Sequence, residues 1–193
     1  MTPHASSTPA IPFNVRRPAA LIFLHWATLI LIALVVGIVF VREGFEEKAV
    51  RTALINVHRS LGLAVALLAV LRIGVRLAKH PLPDSAPMQA MARLAAGTAH
   101  FGLYALLFAL PLIGWALTSA HGRQVNFFGL VTLPPLVGAD EDLADDLGDY
   151  HAAAAWLLLA LIGVHAAAAL FHHVVKRDDV LNAMLPARLD RRR

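Results

Sequence analysis

Two histidines, His151 and His165, stand fourteen residues apart in the last apolar stretch of this chain, and two more, His25 and His58, lie inside the first two apolar stretches. If the last stretch is α-helical, fourteen residues rise about 21 Å and turn to within about 40° of four full turns. Both imidazoles then share one helix face at different depths of a hydrocarbon layer about 30 Å thick. In helices that alternate in direction, the depth-matched partners are His25 for His165 and His58 for His151. Neutral imidazole is a good haem ligand, and two imidazoles clamping one iron leave no open position for oxygen, which favours electron transfer over oxygen activation. The chain has no cysteine, which excludes disulfides, thiolate-ligated haem, cysteine-bound iron–sulfur clusters and covalent haem attachment through C-x-x-C-H. The pattern predicts two haems, each held without covalent links between two helices.

The elements that must carry these residues are membrane spans. Of 193 residues 58% are hydrophobic and 16% charged, and the mean hydropathy is +0.64, an apolar content above that of soluble domains. Four windows are long enough to cross a bilayer: Ala19 to Val41, Ala53 to Leu77, His100 to Ala120, and His151 to Val175. The runs are too long for strands and lack period-two alternation, so their hydrogen bonds close within helices. The expected fold is an all-α membrane protein, a four-transmembrane-helix bundle. Residues 1–18 read as an N-terminal tail, 19–177 as the membrane domain and 178–193 as a basic C-terminal tail. The first span is too long for a signal-peptide core and no small-residue cleavage motif follows it. Placing the N-terminus in the cytoplasm leaves 12 Lys and Arg inside and 5 outside, so the positive-inside rule sets both termini in the cytoplasm. The net charge of +4 follows from this topology: the basic residues sit at span ends without interleaved aromatics, which argues against nucleic-acid binding.

Other residues compete with or support the four histidines. His100 has a depth like that of His25, and His172 lies seven residues after His165 on roughly the same face. His172 and His173, close to Lys176, read as interfacial, and His4, His80 and His121 as tail or loop residues. Ala152 to Ala155, Ala166 to Ala169 and Gly62 suit the close approach of a flat macrocycle and equally suit tight helix packing. Arg72 and Arg76, one turn apart, either pair with haem propionates or snorkel to headgroups, and Arg59 beside His58 is a similar candidate. Trp26, Trp115 and Trp156 are belt or pocket residues.

These residues resemble the bacterial cytochrome b561 family, over nearly the whole chain after the N-terminal tail. The matching motifs are LHW at Leu24 to Trp26, INVHRSLG at Ile55 to Gly62, VLRIGVRL at Val70 to Leu77, LPLIG at Leu110 to Gly114, and GVHAAAALFHH at Gly163 to His173. The resemblance implies a four-helix protein of the bacterial inner membrane with two haem b groups on His25, His58, His151 and His165. It also implies electron exchange with quinone, ubiquinone in particular, and for some members superoxide oxidation. The function expected is electron transfer between an outer-side donor, superoxide or a partner redox protein, and membrane quinone. Lys48, Arg51, Arg59, His121 and Arg123 would form a cationic funnel for superoxide if they cluster in space, against nine acidic residues on the same side. The alternatives are a cytochrome b subunit passing electrons between quinone and a partner dehydrogenase, and a non-haem divalent-metal carrier, which would want carboxylates that the spans lack.

Overall fold

The computed structural model describes residues 17–79 and 90–186; His4, His80, most of the N-terminal tail and residues 187–193 of the C-terminal tail lie outside them. Four long helices follow one another: α1 (Ala19–Glu43), α2 (Lys48–Ala78), α3 (Ala90–Ala120) and α4 (Glu141–Phe171). Each is long and apolar enough to cross a membrane. Their apolar side chains stay largely on the outside, Phe23 at 71% and Phe101 at 75% exposure among them, as expected where lipid rather than water is the solvent.

Three helices start before the spans expected from hydropathy. α4 begins at Glu141, not at His151, and takes in the acidic run that precedes the expected fourth span. The cause is local: the Asp140 side chain accepts a hydrogen bond from the Leu143 N–H at 3.0 Å, and Glu141 and Asp142 occupy the first turn, where negative charge is favoured by the free N–H groups and the helix dipole. α3 starts ten residues before His100 and carries Pro111 in its interior, tolerable in a membrane helix whose neighbours re-satisfy the freed backbone groups. α2 starts at Lys48, so Lys48 and Arg51 stand on its first turn and Arg59 about three turns in.

α1 packs along α2 and α3 along α4, with a lesser contact between α2 and α3, so the bundle is two helical hairpins laid together. One end of the bundle holds the start of α1 and the end of α4. The other, the loop end, holds the α1–α2 turn and the α3–α4 connection. That connection contains the only β structure among the described residues, an antiparallel hairpin of β1 (Val125–Phe127) and β2 (Val131–Leu133). It was not expected from the sequence. Midway along the bundle, Val65, Ala69, Leu107 and Leu158 form the buried core.

Candidate functional site

The two hairpins leave α4 facing α1 and α2 across a cleft, and the histidines meet in it. Among the described residues, neither α1 and α4 nor α2 and α4 is a closely packed pair of backbones, yet their imidazoles approach. The ring centres of His25 and His165 are 6.2 Å apart at one level, and those of His58 and His151 are 6.2 Å apart at the other. A metal bonded at about 2 Å to one nitrogen of each ring, with about 1 Å from nitrogen to ring centre, requires ring centres about 6 Å apart. Both pairs have that spacing. Leu158 lies seven residues from each of His151 and His165, so the buried apolar core separates the two levels.

At the loop end the donor chemistry fits a bound metal in three ways. His58 Nδ1 lies 3.0 Å from the Val35 carbonyl oxygen. A carbonyl can only accept, so Nδ1 carries the proton and Nε2 keeps its lone pair, the tautomer a ligand needs. His151 Nδ1 is buried and closes no well-formed hydrogen bond, although the Leu110 carbonyl faces its ring. Gly114 stands so close to that ring that a Cβ there would lie 3.1 Å from His151 Cε1. A cavity of about 900 Å³ opens between these rings and is walled by apolar side chains such as Val65, Leu107, Pro111 and Leu158. A flat apolar group with polar edges suits such a space.

The rim of this cavity is basic. Arg42, Lys48, Arg51, Arg59, His121 and Arg123 line it, with Glu46 as the acidic member, so the residues expected as a funnel do cluster. Arg42 was missed by the sequence reading. It sits in the last turn of α1, where a basic residue is easily taken for an ordinary helix terminus, and its 2.8 Å ion pair with Glu43 accounts for it locally. Arg51 reaches the same carboxylate at 3.9 Å, and Arg59 donates to Asn56 Oδ1 at 3.0 Å.

At the other end a third imidazole joins the pair. His100 lies 5.3 Å from His165, centre to centre, closer than His25 does. Its depth was legible in the sequence; its proximity was not. Arg72 stacks over the Tyr104 ring at 5.6 Å. His172, seven residues after His165, takes another partner: its Nδ1 bonds Asp178 at 2.6 Å, where a five-residue π-helix (His172–Lys176) ends α4. His173 Nδ1 is buried without a partner. Trp26 donates to the Met184 carbonyl at 2.9 Å and Trp115 to the Pro134 carbonyl at 3.0 Å, so both fasten chain segments, whereas Trp156 is 66% exposed.

The profile of one protein family, described as prokaryotic cytochrome b561, matches residues 16–187. The chain is also similar to probable superoxide oxidase CybB of Yersinia pestis, 35% identical over 166 residues that cover 84% of this chain and 92% of the relative. It is similar to cytochrome b561 homolog 2 of Escherichia coli (strain K12), at 33% over 74% of this chain and 73% of the relative. With cytochrome b561 homolog 1 of the same organism the identity is 33%, over 86% of this chain and 95% of the relative.

Proposed function

The chain belongs to the prokaryotic cytochrome b561 family, which makes it a multi-pass haem b electron-transfer protein of the bacterial inner membrane, and from that premise we propose that it holds two haems and carries electrons from a donor outside the membrane to quinone within it. His58 and His151 hold the haem at the loop end, and His25 and His165 hold the other. The observation that carries this reading is the repeated 6.2 Å spacing of two imidazole pairs on opposite sides of an apolar core. A haem with two imidazole ligands supplies reversible one-electron chemistry at iron. Membership of the family sets aside the divalent-metal carrier.

The residues of this chain do the rest. The positive-inside bias supports a loop end outside the cytoplasm with both termini within it. His58 is oriented by the Val35 carbonyl, and Gly114 leaves room for the His151 ring. Arg72, level with the His25–His165 pair and within reach of Tyr104, and Arg59, level with the other, serve haem propionates through charge-assisted hydrogen bonds.

For the outer donor the basic rim favours a small anion, superoxide. The acidic residues Glu141, Asp142, Asp145, Asp146 and Asp149 share this end, but Glu46 alone among acidic residues lines the cavity, and it is the local field at the mouth that steers a small ion. Two superoxide ions give up one electron each and leave as dioxygen; one quinone takes both electrons and two protons and leaves as quinol. The quinone is ubiquinone in this reading. The alternative, a partner dehydrogenase as the source or sink of electrons, draws on the acidic surface of α4, which suits a basic protein.

The test is spectroscopic. Purified protein should carry two haems per chain and show b-type bands on reduction. Rapid mixing with superoxide should reduce it on the millisecond scale, more slowly as salt rises. One haem per chain would mean that one of the pairs is wrong. Two haems with no reduction by superoxide would leave the ligand assignment standing and transfer the donor role to a protein.

A further inference from the structure

The connection between α3 and α4 does not rise away from the bundle; it folds back along it. Ser60, only 2% exposed, donates through Oγ to the Asn126 carbonyl at 3.1 Å and accepts from the Phe128 N–H at 3.1 Å, which pins the β1–β2 hairpin to α2. Ser119 Oγ accepts from the Leu136 N–H at 3.1 Å, and Trp115 bonds the Pro134 carbonyl. The level of this attachment follows from the neighbouring helix. His58 is bonded to Val35 of α1, and six further uncharged residues, Val36 to Val41, follow before Arg42. Those six residues rise about 9 Å. The hairpin is therefore fastened below the level at which α1 meets its first charge, and Arg59, next to Ser60 on α2 at that level, bonds Asn56 and lines the cavity.

The composition agrees with that depth. From 124 to 139 the chain carries no charged residue, although Arg123 and Asp140 flank the segment. At the tip, Phe128, Leu130 and Val131 are 50%, 79% and 55% exposed, as exposed as the lipid-facing side chains of the helices. The turn also keeps a residue its geometry disfavours. Phe128 and Gly129 have φ of 50° and 76°, the left-handed pair of a type I′ turn that suits Asn-Gly. A bulky aromatic held in that conformation points to a use for the ring.

We propose that this hairpin is a lipid anchor: Phe128, Leu130 and Val131 insert into the headgroup–acyl boundary of the leaflet at the loop end. The depth suits the boundary rather than the hydrocarbon centre, because the outer edge of a two-stranded ribbon keeps backbone groups that need water or headgroups. Val125, 2% exposed, and Arg123 line the cavity from the same segment. The anchor therefore also holds one wall of the cavity in register with the membrane surface.

A chain without cysteine allows a clean test. Leu130→Cys and, as a second site, Val131→Cys carry a nitroxide in the haem-loaded, oxidised protein in phosphatidylethanolamine–phosphatidylglycerol nanodiscs, with Asp145→Cys on the exposed start of α4 as the aqueous reference. The ratio of collision with dioxygen to collision with a water-soluble nickel chelate reports depth, and relaxation by iron enters both terms. At 130 and 131 the ratio should be several-fold above that at 145. A ratio equal to that at 145 would place the tip in water and overturn the proposal. Exclusion of both reagents would overturn it as well, in favour of a second copy or another protein covering the tip.

Discussion

Gly114 gives the sharpest test of the proposed ligand pair at the loop end. Replacing it with Ala puts a methyl carbon 3.1 Å from His151 Cε1 and 3.4 Å from Nδ1, where an ordinary carbon contact needs about 3.5 Å or more. The ring must yield by a few tenths of an ångström, whereas metal–ligand distances are held to within about 0.2 Å. Relieving such an overlap costs about 1–3 kcal/mol, and Ala in place of Gly inside a helix returns about 0.5–1 kcal/mol. The net cost to folding is therefore between nothing and about 2.5 kcal/mol. The proposed haem would feel the change directly, because the moving atoms belong to the imidazole itself. Gly114→Ala should keep two haems and shift the potential and spectrum of only one. Gly114→Leu, whose side chain would overlap the ring's position, should lower the haem-to-protein ratio from two to one. The assay is haem content against protein, with a redox titration, and the haem lost should be the one lost in His58→Ala. Two haems with unchanged potentials in Gly114→Leu would refute His151 as a ligand.

Further expectations follow from the same geometry. His25→Ala and His165→Ala should each remove one haem signal, and His58→Ala and His151→Ala the other, while His100→Ala and His172→Ala retain both; loss of a haem in His100→Ala would make the third imidazole the ligand. The imidazole planes of the two pairs cross at 72° and 66°; an iron held between rings so crossed would have nearly degenerate dπ orbitals, so the oxidised protein should show strongly anisotropic low-spin electron paramagnetic resonance signals and not the rhombic spectrum of parallel ligands. Leu158→Ala should cost about 1–2 kcal/mol in thermal unfolding, below the usual range for a buried leucine, because lipid rather than water is the alternative surrounding of its side chain. Ser60→Ala removes both hydrogen bonds that hold the hairpin. It should lower the dioxygen preference of a nitroxide at 130 without changing haem content.

The parts legible in the sequence were those governed by long-range regularity. The fourteen-residue interval on one apolar helix placed His151 and His165 at two levels, and alternating direction paired them with His58 and His25; hydropathy alone located all four helices. The parts that escaped depend on short-range contacts. The acidic start of α4 fell outside the expected fourth span because a hydropathy window discards it, although Asp140 followed by Glu141 and Asp142 is a helix-capping pattern that could have been read. The β1–β2 hairpin gave no usable signal, since its turn is Phe-Gly where the conformation favours Asn-Gly. His100 could be assigned a depth but not a neighbour, because rotation about the α3 axis is fixed by packing against α4 and not by spacing.

The separation of the two imidazole levels also bears on what can cross the bundle. Val65, Ala69, Leu107 and Leu158 fill the middle with side chains that have no hydrogen-bonding atom. A proton moving between the levels would need a chain of waters or polar groups, and a buried charge without a partner is expensive. Electrons need neither, since they tunnel across a short apolar gap. In the proposed reaction the electrons therefore enter from one side of this layer, and the two protons that complete quinol are taken up without crossing it. Leu158→Asp would put a single carboxyl group into the layer, which is one polar group and not a chain of them. If the layer works in this way, proteoliposomes of the folded, fully loaded variant should leak protons no faster than the wild type, and a marked rise in the leak would show that waters already thread the layer and need only one more polar group.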